Sequence, residues 1–196
     1  MSVLKVPAGR GESEYVEKRS SFLGVVEPVS SEEDARAVIA AIKKQHRDAR
    51  HNCWCYLIQD GAERYSDDGE PQGTAGIPML EVFRKAGVSN AVCVVTRYFG
   101  GVLLGAGGLL RAYTKAAKDA LENAGTTEVI PMKELTIRCP YSLLDRIRLE
   151  IAAAEAEILS TDYAAGITLS IRIPEAKAAS FSEHIFDMTA GTVKCE

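Results

Sequence analysis

The stretch Arg97-Tyr98-Phe99-Gly100-Gly101-Val102-Leu103-Leu104-Gly105-Ala106-Gly107-Gly108-Leu109-Leu110-Arg111 leaves this chain few ways to fold. A β-branched run from Ala91 to Thr96 leads into it and an alanine-rich helical pattern from Leu109 to Ala124 leads out. The order is therefore strand, glycine loop, helix start. Glycines at 100, 101, 105, 107 and 108 permit positive φ and close backbone approach, at an entropic cost. A helix N-terminus beyond such a loop offers unpaired N–H groups and a positive dipole, which suit phosphate. Arg97 and Arg111 add charge of the matching sign, while plain tight packing of helix on sheet is the competing explanation.

Neither standard nucleotide fingerprint is present. Gly105-x-Gly107 as the start of G-x-G-x-x-G needs glycine at 110, where Leu110 stands. Gly100-x-x-x-x-Gly105 as a P-loop needs lysine at 106, where Ala106 stands. What remains is a less specific anion cradle.

A second loop, Tyr65 to Gly76, holds Asp67, Asp68 and Glu70 among turn formers. If they converge, these carboxylates suit Mg²⁺ or Ca²⁺; as turn residues they cap nearby N–H groups. Thr74 is expected to cap the following helix or to meet phosphate. His51, Cys53 and Cys55 alternate onto one strand face. At ~3.3 Å per residue the outer two stand too far apart for one zinc ion. No metal and no cofactor are expected.

Along the chain, Glu14–Lys18 and Phe22–Val26 are expected as short strands joined at Arg19-Ser20-Ser21. Ser30 with Glu33 forms a capping box before a helix to about Gln45, with Ala35, Val38, Ile39 and Ile42 inward. A strand over Cys53–Ile58 ends at the turn Asp60-Gly61, and a short helix from about Ile77 stops at Gly87. Thr126–Pro131 is expected as a linker. Beyond it come a strand at Leu135–Cys139, a helix with Leu144, Ile147 and Ile151 inward, and a strand near Glu157–Thr161. The turn Ala165-Gly166, a strand at Ile167–Ile173, a helix opened by Pro174 and a last strand at Thr192–Cys195 complete the pattern. That β-α-β-β-α-β order is the split βαβ of ferredoxin-like folds. The expected boundaries are 1–128 and 132–196, in an α+β chain.

Five cysteines, odd in number and set in apolar strands, point to reduced thiols and a cytoplasmic location. No run approaches the ~18–20 apolar residues of a membrane span. A net charge of −4 does not suit a protein that coats nucleic acid, so contact with it would need a local patch. Lys43, Lys44, His46, Arg47, Arg50 and His51 form one candidate.

Together, Asp48-Ala49-Arg50-His51-Asn52-Cys53, Ser66-Asp67-Asp68-Gly69-Glu70-Pro71, Gly73-Thr74-Ala75-Gly76 and Arg97-Tyr98-Phe99-Gly100-Gly101 with Gly105, Gly107 and Gly108 resemble the IMPACT family in its bacterial YigZ form. The resemblance runs from about residue 4 to the C-terminus. It implies an N-terminal domain like ribosomal protein S5 domain 2, a fold shared with elongation factor G and the GHMP kinases. It also implies a ferredoxin-like C-terminal domain similar to the last domain of elongation factor G. Eukaryotic relatives act in translational control and carry an additional RWD domain, so their kinase pathway is not carried across.

The expected function is non-enzymatic binding of RNA or a phosphate-bearing ligand in a groove between the two loops. The ribosome, or a protein of the translation apparatus, is the expected partner. Arg97 and Arg111 would meet phosphate oxygens, the N–H groups of 105 to 108 would cradle them, and Tyr98 or Phe99 would stack a base. Internal salt bridges to Asp67, Asp68 or Glu70 are the structural alternative for the arginines. A Mg²⁺-dependent enzyme acting on a phosphorylated small molecule and a protein–protein adaptor are the rival functions.

Overall fold

Alternating strand and helix periodicities in the first 129 residues wrap around one antiparallel sheet in the computed structural model, which describes residues 3–59, 61–164 and 166–196. The elements are β1 (Leu4–Pro7), β2 (Gly11–Glu17), β3 (Ser20–Pro28), α1 (Glu32–Gln45), β4 (His51–Leu57) and β5 (Glu63–Ser66). They continue with α2 (Gly76–Ala86), β6 (Ala91–Tyr98), α3 (Gly105–Ala124) and β7 (Thr126–Val129). The sheet order is β2-β3-β6-β4-β5, so the β-branched run of β6 lies at the centre. Its side chains alternate between two cores: Val92 and Val94 pack toward α1, whereas Cys93 and Val95 pack toward α2 and α3. That two-sided cover explains why β6 carries almost no polar side chain before Thr96.

Local chemistry moves several expected boundaries. Helix α1 is capped by Ser31, one residue later than expected: its Oγ accepts from the Asp34 N–H at 3.1 Å, and the Asp34 carboxylate accepts from the Ser30 N–H at 3.2 Å. The β2–β3 turn is Lys18-Arg19, with φ of 47° and 66°, so Ser20 and Ser21 belong to β3. Two left-handed residues match the twist of a two-residue hairpin, at a cost of about 1–2 kcal/mol each without glycine. Tyr65 and Ser66 are not loop but the end of β5, paired with Cys55 and Trp54. The expected linker at 126–131 is in part a strand, because β7 pairs antiparallel with β1. The turns expected at Asp60-Gly61 and Ala165-Gly166 each involve a residue, Asp60 or Ala165, outside the described residues.

The C-terminal unit, built on residues 130–196, contains β8 (Met132–Cys139), α4 (Leu144–Ala153), β9 (Glu157–Tyr163), β10 (Ile167–Pro174) and α5 (Glu175–Met188). Its sheet order is β8-β10-β9, with Ile137, Ile147, Leu169, Ile171, Phe181 and Ile185 in the core. The last strand expected at Thr192–Cys195 reduces to a single bridge, Ile137 to Cys195, flanked by Thr136–Glu196 hydrogen bonds. The fold is α+β, with the S5 domain 2-like and ferredoxin-like architectures expected from the sequence.

An alanine face, Ala112, Ala116, Ala117 and Ala120, lets α3 lie close on the sheet. At Gly11 a Cβ would stand 2.2 Å from the Ala120 carbonyl oxygen and from the Ala124 nitrogen. Gly11→Ala therefore has to push a helix backbone away and should destabilise the protein by about 1–3 kcal/mol or more, read from the urea midpoint.

Candidate functional site

The two loops singled out by the sequence meet at the ends of β4 and β6, and what joins them is an ion pair. Arg97 leaves β6 on the α3 side, and its Nη1 donates to Glu70 Oε1 at 2.7 Å. The pair is dry, with side-chain exposures of 7% and 3%. The same Glu70 oxygen accepts from the Tyr113 hydroxyl at 2.8 Å, tying the acidic loop to α3. Burial, followed by the neighbouring Cys53 and Glu70, pushes the Tyr113 hydroxyl far above its ordinary value. The guanidinium lies 5.5 Å from the ring centroid of Phe22 and 5.4 Å from that of Phe99. Its Nε is buried without a hydrogen-bond partner among the described residues.

The other acids serve the loop itself. Asp67 turns its carboxylate onto the N–H groups of Gly73, Ala75 and Gly76 at 2.8, 3.0 and 2.8 Å, so it caps α2 from eight residues before Ala75. Asp68 accepts from Lys43 Nζ at 2.7 Å and from the Asn52 N–H at 2.8 Å. Its carbonyl lies 2.9 Å from His51 Nδ1. The three carboxylates thus point to separate partners and do not converge as a Mg²⁺ site requires. Among the described residues no group of three His, Cys, Asp or Glu has the geometry to hold a metal. Thr74 neither caps α2 nor faces the groove: its hydroxyl donates to the Pro71 carbonyl at 2.6 Å.

Between the loops runs a groove of about 440 Å³. Arg50, His51, Glu70 and Arg97 supply its polar lining, Phe99, Leu103, Leu104 and Leu109 its apolar lining, and Gly105 and Ala106 line it at the start of α3. The helix begins at Gly105, earlier than expected, with neither a side-chain cap nor an acid in its first turn. Its first amides are therefore free donors, while the Gly108 N–H belongs to the helical ladder.

The remaining expected residues are elsewhere. Tyr98 faces the opposite side of the sheet, where its hydroxyl lies 3.0 Å from His46 Nδ1 and donates to Asp48 at 3.1 Å. Arg111 stands by Lys18, Tyr15 and Gly108 in a separate small cleft of about 80 Å³, so the two arginines do not converge. Gly100 is needed for close approach: a Cβ there would fall 2.0 Å from the Arg19 carbonyl carbon. Gly101 and Gly105 adopt φ of 84° and 71°. Gly107 meets only the Arg111 guanidinium at 3.6 Å, so packing does not demand glycine there. The basic patch of 43–51 also separates, with Lys43 on Asp68, His46 on Tyr98 and Arg50 in the groove. Arg50 and the leucines escaped sequence reasoning as groove residues, because only the β4–β6 register brings position 50 beside Arg97.

This architecture is that of a two-domain protein with an Impact N-terminal domain, whose family model matches residues 18–121. A domain of unknown function, DUF1949, matches residues 137–192. The chain belongs to the IMPACT family. IMPACT family member YvyE of Bacillus subtilis (strain 168) is 39% identical over 92% of this chain and 84% of its own length. IMPACT family member YigZ of Escherichia coli (strain K12) is 36% identical over 90% of this chain and 89% of its own. Protein IMPACT of Mus musculus is 34% identical over 45% of this chain and 30% of its own. A crystal structure of a hypothetical protein, 34% identical, superimposes with a TM-score of 0.73 over 100% of this chain and 97% of that one. Among the described residues no helix is long and apolar enough to cross a membrane.

Removing Glu70 strands a buried guanidinium. Glu70→Ala should cost about 3–5 kcal/mol in urea unfolding, whereas Tyr113→Phe, which loses one hydrogen bond, should cost about 1 kcal/mol. Burial also pushes the Cys53 thiol up to about 12. An unfolded thiol ionises near pH ~8.5, so above that pH the unfolded chain releases a proton that the native state keeps. Stability from this group is complete below pH ~8.5 and falls by up to about 1.4 kcal/mol per pH unit above it. Cys53→Ala should show the shallower decline in urea midpoints between about pH 8.5 and 10.

Proposed function

We propose that this protein is a non-enzymatic binding protein of the translation apparatus and that its groove takes phosphate oxygens of RNA. The observation that carries the reading is the lining of the groove, where Arg50 and the Arg97 side chain stand with the uncapped start of α3. Arg50, exposed and without an ion-pair partner among the described residues, adds a positive charge at the mouth. The translational context rests on the family resemblance, which extends to the mouse protein named IMPACT over 45% of this chain. Against the enzyme reading stands the use of all three acids: Asp67 holds backbone amides, Asp68 holds Lys43, and Glu70 holds Arg97.

Fluorescence anisotropy with a labelled oligouridylate tests this. Binding should weaken steeply between about 50 and 200 mM salt, and Arg50→Ala, which takes away the partner of one phosphate, should lower the salt slope by about 0.7. Ala106→Glu places a carboxylate in the first turn of α3, which favours the helix dipole while repelling phosphate. It should abolish binding without lowering the melting temperature. Absence of binding at about 50 mM salt, or indifference to both substitutions, would overturn the proposal.

A further inference from the structure

The groove carries more than an anion site, because one of its walls is an aromatic ring with a face to spare. Tyr113 meets Phe22 edge-on, with centroids 5.2 Å apart and planes at 86°. Both rings are fully buried. Phe22 flanks the Arg97 guanidinium, and the guanidinium in turn flanks Phe99. Phe99 is the outermost member of this series and remains 43% exposed. Its backbone is held on the next residue, where the Gly100 N–H donates to Ser20 Oγ at 3.1 Å. A ring presented this way is already ordered, so stacking on it sacrifices little side-chain freedom.

We propose that Phe99 is the stacking platform for one unpaired base, and that the groove selects single-stranded over double-stranded RNA. The inference rests on the phosphate reading of the same groove. Its chemistry joins a positively charged lining, with Arg97, Arg50 and the first amides of α3, to the flat apolar ring of Phe99 beside the Arg97 guanidinium. Within RNA, only a nucleotide whose base has left its pair offers a phosphate and a free aromatic face together. The volume of about 440 Å³ suits one such unit. Leu103, 83% exposed on the loop beyond Phe99, extends the apolar rim toward solvent. A phosphate-lined A-form duplex gains nothing from such a rim, whereas a splayed base does. Tyr98, the other aromatic suggested by the sequence, is on the wrong side of the sheet and engaged with Asp48.

The test compares an oligouridylate, the same oligomer with abasic sugars, and an RNA duplex of equal length. Phe99→Ala should weaken oligouridylate about tenfold or more and leave the abasic oligomer unchanged. Phe99→Leu, which keeps apolar bulk without a π face, should behave like Phe99→Ala. Phe99→Trp should bind oligouridylate and lose indole fluorescence on binding; the single native tryptophan, Trp54, is half-buried against the α1-side core, and the wild-type protein serves as the control. Wild-type affinity retained in Phe99→Ala with the usual salt dependence overturns the stacking proposal alone. Equal binding of duplex and single strand does the same. Tighter binding of phenyl phosphate than of uridine 5′-monophosphate would assign the groove to an aromatic phosphopeptide and overturn it too. No RNA binding of any kind at low salt removes both this proposal and the phosphate reading beneath it.

Discussion

The ion pair between Arg97 and Glu70 is the interaction on which the N-terminal domain's functional face depends. A guanidinium and a carboxylate out of water are stable only when each finds a partner of good geometry. Here one carboxylate oxygen serves Arg97 and Tyr113 together. Strand β6, the acidic loop and α3 are thereby pinned at one point. The cost of burying the pair is offset by the rings of Phe22 and Phe99 beside the guanidinium, where cation–π attraction is strongest without water. The arginine is left with a fixed plane, held between two rings in place of a mobile surface charge.

Much of this was legible in the sequence, and the parts that were not share a physical cause. Periodicity located β6, α1, α2 and both C-terminal helices, because burial on one face or two leaves its mark on local apolar spacing. The turn residues marked the loops. Partnerships between distant segments leave no such mark. Thr126–Val129 is largely β-branched but exposed throughout, so it carries no burial alternation to mark it as a strand and becomes β7 where β1 lies alongside it. Likewise, nothing local distinguishes Glu70, which faces a cation in the core, from Asp67, which faces backbone amides.

The candidate site shows the same division. The glycine stretch and the acidic loop face each other across a groove, with His51, Glu70, Arg97 and Gly105 on it. Tyr98 and Arg111 were placed there by proximity in sequence. The pleat of β6 sends Tyr98 to the other face, and Arg111 lies with Lys18 in a cleft of its own. Alternation in a strand and the turn of a helix both separate residues that a linear reading keeps together. The internal salt bridge expected as the alternative for the arginines holds for Arg97, which shares its charge with Glu70.

The cap that Asp67 supplies to α2 also bears on how the domain assembles. A helix of 11 residues is short for independent formation in water, and α2 has no side-chain cap from Ala75 at its start. Its first amides are satisfied only after the chain from Asp67 to Gly76 has closed on itself, a closure held in place by Lys43 from α1 and by the β4 backbone through Asp68. Loop and helix therefore form one unit whose integrity depends on β4 and α1 as well as on its own contacts, and the groove persists only while that unit is closed.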